Sequence, residues 1–410
     1  MRLIVVIAVG LILVGCSTKP ELKTGTWRGV VDIQGHDLPF NFEVVKDAQG
    51  GYDASLINGS EKLLLDEITF DHDSVVFTLH IFDSELKAKI KGDSLVGFFI
   101  KNYEKNYRLP FKAAFGQDFR FEKPNSTSGS VDFTGKYSVT FTSKTDTTHS
   151  VGIFKQTNNE VEGTFLNPTG DYRYLQGSVV NGKLMLSTFD GNHAYVFEAT
   201  KETDSTLVGD YWSGKTGYEK WVATKNDNAS LVDVESLTFL KEGYTKIDFS
   251  FPDVNGKKLS PSDDAFKNKV VILQLSGTWC PNCMDETKFL ASWYDENKDR
   301  GVEIIGLAYE RKDDFTYASS RVIKMQKKLE VNYPFVIAGT NDKQKAGETL
   351  PMLNHVVAFP TTIFIGKDGT VKHIHTGFSG PGTGIYYDQF KQRFNEIVNE
   401  LLNENLSSKK

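Results

Sequence analysis

From Trp27 to about Asn226 apolar and polar residues alternate with a period of two, in runs broken by clusters of Gly, Asn, Asp and Ser. Alternation of this period sends every second side chain to one face of a strand, and the clusters supply turn chemistry. Leu38 to Val45, Tyr52 to Ile57, Val75 to Phe82 and Leu95 to Ile100 are such runs. After a polar joint from Asn226 to Ser236 the pattern changes to strands alternating with helices, the mark of an α/β domain. Val270 to Leu275 is apolar except for Gln274, as expected of a central strand buried on both faces. Phe289, Leu290, Trp293 and Tyr294 then fall on one helical face.

The β region repeats itself at an offset of about 110 residues. Thr24-Gly25-Thr26-Trp27 matches Thr134-Gly135-Lys136-Tyr137, Ala54 to Asn58 matches Gly163 to Asn167, and Leu95-Val96-Gly97 matches Leu207-Val208-Gly209. Each half can supply about eight strands, enough for a small barrel or one sheet of a sandwich. The segment from Gln117 to Asp132 joins the halves. No metal-ligand spacing, phosphate loop or nucleophile-plus-base pattern occurs in this region. It therefore reads as a spacer or docking module in preference to a ligand-binding barrel, with Trp27, Phe98, Tyr137 and Trp212 as core candidates. The expected architecture is multidomain: a repeated all-β N-terminal region, barrel-like or sandwich, followed by a C-terminal α/β domain.

The 410 residues carry 47 Lys and Arg against 53 Asp and Glu, a net charge of -6 that argues against nucleic acid as a partner. There are three cysteines, Cys16, Cys280 and Cys283, too few for a disulfide scaffold. Met1-Arg2 and the apolar run Leu3 to Val14 have the form of an export signal and are too short to span a bilayer. Leu13-Val14-Gly15-Cys16 resembles the bacterial lipobox, and an ordinary signal cleavage is the competing reading. The resemblance implies a signal peptide over 1–15, a mature chain lipidated on Cys16, a tether over 16–23, and a place in the cell envelope facing the periplasm or another extracytoplasmic space.

Cys280-Pro281-Asn282-Cys283 follows the central strand and opens a helix. A cysteine there meets unpaired N–H groups and the positive end of the helix dipole, which favour the thiolate. Two intervening residues put Cys283 in reach of a mixed disulfide on Cys280. A structural disulfide closing so small a loop would add little stability. Zinc would need two further ligands, and His373 and His375 read more simply as exposed residues flanking a buried Ile374. The Pro-x-x-x-Thr-x-x-Cys pattern of peroxiredoxins fails, because Gly277 stands where Thr is required.

The line from Lys269 to Glu286 resembles the TlpA/ResA-like thiol-disulfide oxidoreductases, a branch of the thioredoxin superfamily, over residues from about 248 to 400. The internal repeat sets β units over 24–120 and 130–226, and the resemblance implies a thioredoxin-like domain over 240–405. It further implies a redox-active pair with Cys280 attacking and Cys283 resolving, and a cis-proline loop at Ala358-Phe359-Pro360-Thr361. Trp279, Phe359 and Thr361 would lie against substrate, with Pro360 shaping the loop. Glu286 takes the family's acid position, either exchanging protons with Cys283 or sitting solvated at the helix N-terminus. Gln274 stands where thioredoxins carry a buried Asp, so no titrating partner is expected beneath the disulfide. No dissociable cofactor or metal is implied, because the dithiol itself carries two electrons. The expected activity is reduction of protein disulfides, with a membrane or envelope electron donor as second partner. The alternative is a partner- or ligand-binding lipoprotein whose β region is the functional module and whose redox pair is regulatory.

Overall fold

A computed structural model describes residues 21–65, 67–79, 81–123 and 131–404. Cys16 and the export segment lie outside the described residues. Among the described residues no helix is long and apolar enough to cross a membrane.

The two repeats fold into related but unequal sheets of nine antiparallel strands each. In the first, the opening strand Gly25–Ile33 pairs with the closing strand Arg108–Phe115, and the sheet ends at Glu61–Leu64 on one side and Glu67–Asp71 on the other. This is a half-barrel. In the second, Thr147–Thr157 pairs with both Gly135–Thr142 and Glu160–Asn167, which closes a ring of eight strands. Repeated residues do the same job in both halves. Gly25 and Gly135 begin their strands at φ 125° and 147°, where a side chain would be strained. Trp27 and Tyr137, both buried, each donate to the carbonyl four residues back, at Lys23 and Phe133, over 3.0 Å. Gly97 and Gly209 let the curved strands approach so closely that a Cβ would strike the backbone of the neighbouring strand. Two expected core aromatics sit elsewhere. Phe98 is exposed beneath the Arg108 guanidinium, and Trp212 is half-buried against His36 between the repeats.

The open half-barrel does not finish its own core. Phe189, Ala194 and Val196 of the closed barrel, together with Met284, pack into its apolar cluster. Arg120 pins this junction from the inter-repeat segment. It donates to the Pro39 carbonyl at 2.9 Å, to Asn58 Oδ1 at 3.1 Å and to Gln176 Oε1 at 3.0 Å.

The C-terminal domain is a five-stranded sheet in the order Phe335–Thr340, Val302–Glu310, Val270–Ser276, Thr361–Ile365, Val371–Thr376, the first three parallel and the fourth antiparallel to both of its neighbours. Helices α1 (Pro281–Asn297), α2 (Phe315–Lys328), α3 (Lys343–Thr349) and α4 (Ile385–Asn403) cover it. The apolar run at Val270 follows from this layering. Val270 and Ile272 face the core built with Leu290, Trp293 and Phe394, while Val271, Leu273 and Leu275 face the core built with Leu350 and Val356. The joint between the β region and this domain is packed down as well. Ala229 is buried against Val151 and Leu166, and Glu235 lies 3.6 Å from Arg393 and 3.7 Å from His373.

Candidate functional site

The central strand ends at Ser276, and Cys280 stands as the N-cap of α1 with Pro281 in the first turn. Both follow from local chemistry. Pro281 has no N–H to lose at that position, and the Cys280 sulfur replaces the usual capping oxygen by accepting from Cys283 N at 3.3 Å. Both thiols are free. Burial pushes the Cys283 thiol well above its ordinary value, with the neighbouring Cys280 and Glu286 adding to the rise. Cys280 is only 6% exposed. Its sulfur lies 3.5 Å from the Phe359 carbonyl, and the Phe359–Pro360 bond is cis.

Trp279 stands edge-on to Phe359 with ring centroids 5.9 Å apart, and its indole N–H donates to the Tyr309 carbonyl at 2.8 Å. Thr361, placed by sequence against substrate, does not line the cleft. It is buried in the sheet, and its hydroxyl donates to the Ala358 carbonyl at 2.8 Å. The strand bearing His373 and His375 holds those side chains half-buried and not exposed. The His375 ring packs on Phe390, and burial lowers its pKa to about 4. Among the described residues no group of three or more His, Cys, Asp or Glu side chains gathers to hold a metal.

Glu286 is the largest departure from a surface reading. Instead of a solvated carboxylate at the helix end, it is fully buried, accepting from Gln274 Nε2 at 2.8 Å and Thr362 Oγ1 at 2.6 Å. Burial raises its pKa to about 7, more than those two donors lower it. The expectation of no titrating group beneath the pair is thereby corrected. Gln274 does not titrate, but it holds a carboxyl on α1 that does. A second buried carboxyl, Glu310, accepts from Thr278 N and Thr278 Oγ1, each at 2.8 Å, and fixes the loop before Cys280. Burial pushes it, too, up to about 7.

The β region is not set apart from this site. Arg173, in the turn after Glu160–Asn167, is buried and donates to the Pro281 carbonyl at 2.9 Å and to Asp285. It also pairs with Glu61 of the half-barrel and lies 3.5 Å from Asp190. Burial works against its charge, but Asp285, Glu61 and Asp190 outweigh burial and hold it ionised. Asn282 Nδ2 donates to the Asp171 carbonyl at 3.1 Å, and Asp171 Oδ2 accepts from Gly380 N at 2.6 Å. Gly170 sits at φ 148°, where a side chain would be strained, and a Cβ there would come within 2.6 Å of Asn282 Nδ2. Across the cleft, Asn192 accepts from Tyr103 at 3.2 Å and from Arg311 at 3.0 Å, joining all three sheets. The barrel mouth thus lies against Cys280. Tyr172, His193, Tyr195 and Tyr211 line one cavity with Trp279, Cys280 and Phe359. Sequence reasoning missed these barrel residues. Their one signal is that Gly170 to Tyr174 sets charge among aromatics in the second repeat alone.

A paired thiol at a helix N-terminus, a cis-proline loop beside it and a carboxyl behind it, on a sheet of this topology, define a thioredoxin-like thiol-disulfide oxidoreductase. Residues 241–388 match the Redoxin family. The thiol-disulfide oxidoreductase ResA of Bacillus subtilis (strain 168) is 31% identical over 150 residues, 37% of this chain and 74% of that protein. The ResA of Bacillus thuringiensis subsp. konkukian (strain 97-27) is 33% identical over 123 residues, 30% of this chain and 62% of that protein. A solved thiol:disulfide interchange protein of the thioredoxin family from Chlorobium tepidum TLS is 23% identical, covering 40% of this chain and 99% of that one with a TM-score of 0.31. The chain belongs to the ResA family of thiol-disulfide oxidoreductases.

Proposed function

We propose that the protein is an exported lipoprotein, anchored in the cell envelope through Cys16 and facing the periplasm or another extracytoplasmic space, that reduces protein disulfides with its Cys280–Cys283 dithiol. The observation that carries this reading is the sulfur of Cys280 at the N-cap of α1, accepting from Cys283 N at 3.3 Å beside the Phe359–Pro360 loop. Cys280 as thiolate attacks one substrate sulfur, forming a mixed disulfide and expelling the other sulfur as a thiolate that takes a proton. Cys283 then gives its proton to Glu286 and attacks Cys280, releasing the second substrate thiolate and leaving a Cys280–Cys283 disulfide. Two electrons pass to the substrate, and an envelope dithiol donor restores the pair. Trp279 and Phe359 contact substrate, while Thr361 holds the Pro360 loop through Ala358.

The purified chain is expected to reduce a disulfide substrate with dithiothreitol as donor, and Cys280→Ser to abolish turnover. Its potential should lie well below that of a strong disulfide-forming oxidant, about -120 mV. A potential near that value would overturn the direction of electron flow. Membrane partition that is unchanged in Cys16→Ser would overturn the anchor, since stable attachment needs acyl chains.

A further inference from the structure

We propose that the mouth of the closed barrel is the second wall of the substrate site and admits only disulfides carried on a slender chain, a low-molecular-weight disulfide or an extended, unfolded segment, while excluding those on a folded surface. The inference rests on the reductase reading above. Cys280 is 6% exposed and lines a cleft of about 220 Å³ together with residues of the barrel mouth. That volume suits one half of a cystine-like group, and the barrel residues across the cleft narrow the approach of a broad surface to Cys280.

The wall is built and braced. Tyr172, Tyr195 and Tyr211 stand with ring centroids 5.4 to 5.7 Å apart and line the same cleft as Cys280. His193 stacks on Tyr195 at 4.7 Å and lies 3.0 Å from the buried carboxylate of Asp190, which Arg173 holds in turn. This stack backs the Tyr195 ring. The tyrosine hydroxyls and the imidazole supply hydrogen bonds suited to the amide and carboxylate groups flanking a half-cystine. The chemistry is unchanged in balance: the protein dithiol and R–S–S–R′ give the protein disulfide, RSH and R′SH, with dithiothreitol resetting the pair.

The test measures kcat/KM of the full chain for cystine, for a linear peptide carrying a cysteine mixed disulfide, and for the disulfides of native, folded ribonuclease. The expected result is a rate for at least one slender substrate more than tenfold above that for the folded protein. Tyr195→Ala should narrow that gap several-fold by widening the cleft, and His193→Ala should do so where Tyr195→Ala fails to fold. Cystine alone being fast identifies the low-molecular-weight source, and the peptide alone being fast identifies the unfolded-chain source. Equal rates for slender and folded substrates would overturn the proposal and leave the reductase reading intact. No turnover of any disulfide would overturn both.

Discussion

Glu286 is a carboxyl with no room for a free charge. In the unfolded chain it ionises near 4.5, and in the fold near 7. Below both values it is protonated in either state and leaves stability untouched. As pH rises between them the unfolded chain loses its proton first, so folding is penalised by an amount that grows to about 3 kcal/mol and then levels off. Glu310 adds a penalty of the same sign over the same window. Urea unfolding of Glu286→Gln should therefore show a gain of about 3 kcal/mol at pH 8 and little gain at pH 4, and equal effects at the two values would refute the buried-acid assignment. If the same carboxylate takes the Cys283 proton, resolution of a mixed disulfide should rise with pH through about 7 in the wild type and slow by about a hundredfold in the variant. The position of Glu286 one turn beyond Cys283 is legible from helical spacing. Its burial is not, because Thr362 comes from a strand 76 residues later to complete the shell.

Helix α1 was equally readable at one end and opaque at the other side. The capping cysteine, the first-turn proline and the apolar face with Leu290, Trp293 and Tyr294 are local signals, and the helix runs where they place it. What docks on its N-terminus is not local. Arg173 reaches the Pro281 carbonyl and Asp285 from a turn 108 residues earlier, and joins them to Glu61 of the half-barrel. No short-range pattern foretells a contact across that separation. A buried cation shared by three carboxylates leaves uncompensated charge when it is removed, at a cost of about 3 to 5 kcal/mol. Arg173→Met should lower stability by that amount in denaturant unfolding monitored by fluorescence. A loss under about 1 kcal/mol would mean that the contact is a solvated surface pair.

At the scale of the whole molecule, the repeat was visible in sequence and its two outcomes were not. The paired glycines and the Trp27 and Tyr137 anchors recur in register, yet one copy closes into a barrel and the other stays open. The difference lies in what fills the gap: Phe189, Val196 and Met284 enter the first core from other parts of the chain. For the same reason a region with no reactive motif of its own, expected as a spacer or docking module, lines the thiol cleft. In the proposed mechanism the buried Cys280 is the attacking thiol and Cys283 the one that resolves. Intact-mass analysis with peptide mapping of the full-length Cys283→Ser chain, after exposure to a small disulfide, tests it directly. The expected result is one stable adduct, mapped to Cys280, while the matching Cys280→Ser chain accumulates little. Absence of an adduct on Cys280, or equal trapping through Cys283 in the reciprocal variant, would contradict it.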